Sequence, residues 1–199
     1  RMAIREEEVT YSAGDTTLKG FLALPEGDGP RPAVIVVHEF WGLNDYPKSR
    51  AREMAELGYV GFAVDMYGDG RTADDPGAAT ELMMSVLGNI KEGEARFQAA
   101  LDFINARDEV ESGAVAAMGY CFGGAIVLHE AKVGAALRAV ASFHGSLGSM
   151  HAPASGQVKA KVLVCHGAAD SLIPEEDIAN FKKELDAAGA DYDFRSYEG

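Results

Sequence analysis

The sequence has few cysteines, few basic residues and no long apolar run. Its 199 residues include only two cysteines, too few for a disulfide scaffold, so each thiol needs its own explanation. No apolar run approaches the roughly 18 residues that a membrane span requires. The N-terminal segment is charged and has no apolar stretch of the kind found in secretory signals. We therefore expect a cytoplasmic protein that does not enter a membrane.

Basic residues are outnumbered, with 18 Lys and Arg against 31 Asp and Glu and a net charge of −13. An anionic surface repels phosphate backbones and anionic lipid, so we expect neither nucleic acid nor membrane as a partner. The sequence also lacks the His-Glu-x-x-His and Cys-x-x-Cys spacings of metal sites. We therefore expect no metal and no cofactor.

What is present is an alternation of short apolar runs with helical patterns. This alternation predicts a single α/β domain over residues 1–199, with a mostly parallel sheet and helices on both faces. An N-terminal hairpin is expected to turn at Gly14 and Asp15. The later strands are predicted at 32–38, 59–65, 114–118, 139–144, 161–166 and 192–197. Helices are predicted at 47–57, 78–106 with a break at Gly88, 123–137 and 174–188.

One candidate nucleophile stands at a predicted strand-to-helix turn, in the segment Gly-Tyr-Cys-Phe-Gly over residues 119–123. This segment fits the G-x-nucleophile-x-G elbow with Cys121 in place of the usual serine. The positive end of the following helix would favour a thiolate at Cys121. The alternative is a small buried cysteine beside a packing turn. Cys165 lies inside an apolar strand and is predicted to fill the core.

A nucleophile of this type needs an acid and a base. Asp170 follows the strand at 161–166, where an elbow hydrolase carries the carboxylate that orients its histidine; the alternative is that Asp170 caps a turn. None of the five histidines follows Asp170, and we interpret His38, His144 and His166, all at strand ends, as structural. We therefore expect the working protein to continue beyond Gly199 with a histidine-bearing loop and a helix.

Four segments, in this order, resemble the dienelactone hydrolase family, an α/β-hydrolase branch with a Cys-His-Asp triad. They are VIVVHEFWGLN, GFAVDMYG, MGYCFGG and VLVCHGAADSLIP, and the resemblance covers essentially the whole chain. It implies an α/β-hydrolase fold and a hydrolase that uses a cysteine nucleophile.

The resemblance also implies roles for individual residues. Cys121 matches the family nucleophile and Asp170 the triad acid. Glu39 matches a glutamate that contacts the resting thiol and helps to generate the thiolate; the alternative is that Glu39 is a solvated charge in a loop. The backbone N–H groups of Phe122 and Phe40 match the oxyanion hole, a position that agrees with the usual placement of such donors in elbow hydrolases.

The substrate pocket is expected to include Trp41, Tyr67 and Arg71. Founding members of the family hold a substrate carboxylate with arginines, and Arg71 is the only basic residue of the segment after the fourth strand that could do so; the alternative is that Arg71 is an arginine of a surface loop. Phe40, Met83 and Met84 could add apolar surface to the same pocket.

The predicted function is hydrolysis of lactones or activated esters through a thioacyl intermediate. One alternative is hydrolysis of neutral activated esters such as aryl phosphotriesters in the same pocket. The other is a non-catalytic ligand-binding or redox-sensing module. The expected partner is a small-molecule ester or lactone substrate, and the expected state is a monomer or a small homo-oligomer.

Overall fold

The computed structural model describes residues 3–167 and 173–197 of the chain. Eight strands and five helices lie within these residues. The chain divides into two compact units, Arg1–Ala116 and Ala117–Gly199, and each is described by itself.

The first unit opens with the predicted hairpin. Strand β1, Ile4–Ala13, pairs antiparallel with β2, Thr16–Pro25, over its whole length. Gly14 turns the chain between them with a φ of 57°, a left-handed conformation that glycine adopts without steric cost. The turn predicted at Gly14 and Asp15 is therefore confirmed.

Strand–helix alternation continues through the rest of this unit. The elements are β3 (Arg31–Val37), α1 (Asp45–Glu56), β4 (Val60–Val64), α2 (Pro76–Leu87) and α3 (Ile90–Asn105). Every residue of β4 is buried, as expected for a strand that lies between two others. It pairs antiparallel with β2 and parallel with β3, so the carboxyl ends of β3 and β4 lie at the same edge. The helix break predicted at Gly88 is confirmed, since Gly88 caps α2.

The second unit contains the end of β5 (Val110–Tyr120), followed by α4 (Phe122–Lys132), β6 (Ala139–Phe143), β7 (Lys161–Gly167), α5 (Glu175–Ala188) and β8 (Tyr192–Tyr197). Strand β7 pairs parallel with both β6 and β8. Helix α4 ends five residues before the predicted boundary, because Gly134 has a φ of 88° that a helix does not accommodate.

The parallel pairs, the leading hairpin and the intervening helices confirm the predicted α/β class. None of the helices in the described part of the chain is both long enough and apolar enough to cross a membrane.

Candidate active site

Cys121 occupies a sharp turn between β5 and α4 in the second unit. Its φ of 54° and ψ of −117° are unusual for a residue with a side chain, and the residue is exposed. The Cys121 amide donates to the carbonyl of Phe143 at 2.9 Å, and the Cys121 carbonyl accepts from Ala125 at 3.0 Å. These two bonds hold the backbone in a strained conformation of the kind found at functional sites. The thiol-bearing residue thus forms the N-cap of α4, as the elbow motif predicts.

Glycines make this turn possible by letting backbone segments approach closely. A Cβ on Gly119 would lie 2.3 Å from the carbonyl carbon of Gly123, a distance that no side chain tolerates. A Cβ on Gly124 would lie 2.6 Å from the Ser142 hydroxyl oxygen. The glycines on both sides of Cys121 are therefore required by contact between strand, turn and helix.

His144 lies beside this turn in the same unit. It follows β6 directly, is exposed, and has a φ of 55°. Its amide donates to the carbonyl of Cys165 at 3.0 Å, while the preceding carbonyl, that of Phe143, accepts from Cys121. The sequence indicates a structural histidine at His144 but does not reveal its strained backbone. No local motif signals this conformation, because it results from pairing with β7.

In the first unit, the segment after β3 contains Glu39, Phe40 and Trp41. All three residues are partly exposed. The rings of Phe40 and Trp41 pack with their centroids 4.5 Å apart, and the Trp41 carbonyl accepts from Ala73 at 3.0 Å. The carbonyl of Glu39 accepts from Gly42 at 3.1 Å and so closes a tight turn. This turn presents Glu39 and two aromatic rings at the carboxyl end of β3.

His38 lies beneath this turn and is buried, with 1% of its surface exposed. The amide of Met66 donates to His38 Nε2 at 3.0 Å, so this nitrogen bears the lone pair and Nδ1 bears the proton. Nδ1 then donates to the Glu39 carbonyl at 2.7 Å. Burial lowers the pKa of His38 below its ordinary value, because the interior penalises the charged ring. The interpretation of His38 as a structural histidine fits these contacts.

Tyr67 is fully buried, and its ring packs against that of His38 at a centroid distance of 4.7 Å. Its hydroxyl donates to the carbonyl of Phe40 at 2.8 Å. Burial raises the pKa of Tyr67, so the phenol keeps the proton that it donates. A lining role for Tyr67 in the substrate pocket stays a sequence-based prediction; its observed contact is with the backbone of the turn.

The loop after β4 is organised by a buried carboxylate, Asp65. Its Oδ1 accepts from the amides of Tyr67 and Gly68, and its Oδ2 from those of Lys19 and Gly70, at 2.8 to 3.1 Å. The predicted pocket residue Arg71 also bonds this loop. Its guanidinium donates to the carbonyls of Gly68 and Tyr67.

Two predicted residues remain, the triad acid Asp170 and the core residue Cys165. Asp170 lies outside the described residues. Cys165 is buried on β7, with its Sγ 3.9 Å from the Tyr197 hydroxyl, which confirms its prediction as a core residue.

The chain matches the model of the dienelactone hydrolase family over residues 18–199. Among solved structures, the dienelactone hydrolase-like promiscuous phosphotriesterase P91 from metagenomic libraries is 35% identical, with a TM-score of 0.90 over 99% of this chain and 82% of that one. A structure named m3DLH is 38% identical, with a TM-score of 0.93 over 98% and 82% of the two chains. A relative in Methylorubrum extorquens, named provisionally as a carboxymethylenebutenolidase, is 28% identical over 96% of this chain and 69% of its own length.

The fold and these matches define an α/β hydrolase, an enzyme that acts on ester bonds. More narrowly, the chain belongs to the dienelactone hydrolase family. The resemblance drawn from the four sequence segments is thereby confirmed. The same matches support an enzyme over the alternative of a non-catalytic module.

Proposed function

We propose that the protein hydrolyses lactones or activated esters with Cys121 as the nucleophile. The observation that carries this proposal is the conformation of Cys121, an exposed cysteine at the N-terminus of α4 with a strained backbone. Strain of this kind costs about 1–3 kcal/mol and persists where the surrounding structure enforces it. The helix terminus adds a partial positive charge that favours the thiolate.

In the proposed reaction, the Cys121 thiolate attacks the substrate carbonyl carbon and forms a C–S bond. The electron pair of the carbonyl moves to its oxygen, and the N–H groups of Phe122 and Phe40 are proposed to bind that oxyanion. Collapse of the tetrahedral species breaks the C–O bond and releases the alcohol or enol. Water then cleaves the thioester and regenerates the thiol.

The remaining roles are proposed from the family resemblance. Glu39 would help to generate the thiolate, and its partly exposed position at the carboxyl end of β3 is compatible with contact to solvent or ligand. Asp170 would orient the histidine base of the family triad. Trp41 and Arg71 would contribute to the substrate pocket.

A second candidate activity is hydrolysis of neutral aryl phosphotriesters. The relative P91, 35% identical, is described as a promiscuous phosphotriesterase. In this chain two N–H groups of the Arg71 guanidinium bond to loop carbonyls, which reduces its capacity to bind a substrate carboxylate. Both points favour an uncharged substrate. The thiolate would then attack phosphorus, form an S–P bond and expel an aryloxide, and water would cleave the S–P bond to release the phosphodiester and regenerate the thiol.

The test compares turnover of a lactone, an aryl ester and an aryl phosphotriester by the full-length protein and by its Cys121→Ala variant. We expect Cys121→Ala to lose at least about a thousandfold in kcat on every substrate that the wild type turns over. Cys165→Ala is the matched control and should retain kcat within about twofold, because Cys165 is a buried core residue. Turnover that survives Cys121→Ala would refute the proposal.

A further inference from the structure

Two buried side chains beneath the turn after β3 bond to two successive carbonyls. His38 Nδ1 donates to the Glu39 carbonyl at 2.7 Å, and the Tyr67 hydroxyl donates to the Phe40 carbonyl at 2.8 Å. The two rings also pack against each other at 4.7 Å. We call His38 and Tyr67 the carbonyl clamp.

The His38 bond of the clamp determines the direction of one particular N–H group, and the Tyr67 bond holds the peptide that follows it. The carbonyl of Glu39 and the amide of Phe40 belong to the same peptide unit, and none of the described peptide bonds is cis. In a trans peptide the C=O and N–H bonds point in opposite directions. Because His38 binds the carbonyl from the interior, the Phe40 N–H points away from the His38 ring. The Phe40 N–H is the donor assigned to the oxyanion in the proposed function.

The clamp is itself rigidly held. The Met66 amide binds His38 Nε2, and this contact leaves only the tautomer that has its proton on Nδ1. The Asp65 carboxylate accepts from the Tyr67 amide at 3.0 Å, and Arg96 donates to the Met66 carbonyl at 2.8 Å. The residues after β4 thereby determine the orientation of a peptide after β3.

We propose that His38 and Tyr67 are positioning residues that pre-orient the Phe40 N–H for an oxyanion, and hence that the sequence His-Glu-Phe at 38–40 functions together with Tyr67. This inference rests on the proposed function. Preorganised donors are effective because they need not reorient as charge develops on the substrate. This role requires no contact between either side chain and the substrate. His38 acts through the peptide that contains the Phe40 N–H, and Tyr67 acts through the next peptide, whose carbonyl it binds.

Paired variants separate the two bonds of His38. In His38→Asn, the side-chain amide can replace Nδ1 as the donor to Glu39. In His38→Gln, the longer side chain places its amide near Nε2 and lacks that donor. Tyr67→Phe removes only the hydroxyl that binds Phe40. The matched control is Tyr11→Phe, since the Tyr11 hydroxyl is buried and has no hydrogen-bond partner among the described residues.

Two measurements, kcat for an aryl ester and the rate of Cys121 alkylation, distinguish a misoriented donor from a general loss of structure. Removal of one oxyanion donor typically lowers kcat about 10²–10³-fold, so a misdirected donor should lower kcat for an aryl ester by about tenfold with little change in KM. Alkylation of Cys121 by iodoacetamide displaces iodide at a saturated carbon and develops no oxyanion. We therefore expect Tyr67→Phe and His38→Gln to lose kcat while their alkylation rates stay at the wild-type level. His38→Asn should recover much of the loss, and Tyr11→Phe should match the wild type.

Several results would overturn the inference. One is a kcat for Tyr67→Phe within twofold of Tyr11→Phe; another is an alkylation rate that falls in parallel with kcat. If the His38 variants do not fold, the Tyr67→Phe and Tyr11→Phe pair decides the question. Turnover by Cys121→Ala would remove the proposed function and this inference together. Cys121-dependent turnover that is insensitive to the clamp would remove the inference alone.

Discussion

Two turns that follow strands in this chain are held by different means. The turn at Cys121 depends on glycines, because Gly119 and Gly124 permit contacts that any Cβ would block. The turn at Glu39 and Phe40 depends on side chains from elsewhere, with His38 and Tyr67 bonded to its carbonyls. The first turn is therefore defined by backbone shape, and the second by a network of buried polar groups.

This difference explains how far each turn can be predicted from the sequence. A backbone that tolerates only glycine leaves a local motif, and the elbow could be predicted from five consecutive residues. A carbonyl bound by the hydroxyl of a residue far away in the sequence leaves no local motif, and Phe40 and Tyr67 are 27 positions apart. We expect substitutions at the first turn to lower mainly the free energy of unfolding. We expect removal of the side-chain bonds at the second turn to change mainly the orientation of the Phe40 N–H.

The largest expected effect on stability is at the elbow. Gly119→Ala places a methyl group 2.3 Å from the backbone of Gly123, and neither chain segment can withdraw without breaking the turn. We expect a loss of about 3 kcal/mol or more in the free energy of unfolding, measured by chemical denaturation. Gly148→Ala is the control in the same unit. Its nearest neighbour would be 3.7 Å away, so its loss should stay within about 0.5 kcal/mol.

A smaller loss of stability is expected at Asp65, the buried carboxylate of the loop after β4. Asp65→Asn replaces one carboxylate oxygen by an NH₂ group that faces backbone N–H donors, so two of the four bonds are lost. We expect a loss of about 2 kcal/mol in the free energy of unfolding. Asp69→Asn should be nearly neutral, since Asp69 is exposed and its φ of 52° suits asparagine. Equal losses in the two variants would contradict the role given to Asp65.

The smallest expected effect is the pH dependence of stability that His38 causes. Burial lowers the pKa of His38 from its ordinary value of 6.5, so the unfolded chain binds a proton at a higher pH than the folded protein does. The free energy of unfolding is therefore highest above about pH 6.5, where His38 is neutral in both states. It falls as the pH drops towards the lower folded-state pKa, by up to about 1.4 kcal/mol per pH unit. Denaturation curves at several pH values should show a shallower decline for His38→Asn. An unchanged slope would show that another group causes the decline.

Much of the fold was predictable because its signals are local. The hairpin turn at Gly14 and the break at Gly88 both follow from residues that disfavour continued regular structure. The end of α4 was placed too late, because the apolar pattern continues beyond Gly134 although the helix does not. The candidate site was predictable where a motif exists, at Cys121. The strain at His144 and the contacts of Tyr67 depend on tertiary pairing, which no local pattern records.

The central claim is that the Cys121 thiol forms a covalent acyl intermediate. The most direct measurement is acid quenching of the full-length protein during turnover of p-nitrophenyl acetate, followed by peptide mass analysis. The account predicts an acetyl group on the peptide that contains Cys121, and no such adduct in Cys121→Ala. Steady turnover without acylation of Cys121, or with the acetyl group on another residue, would contradict it.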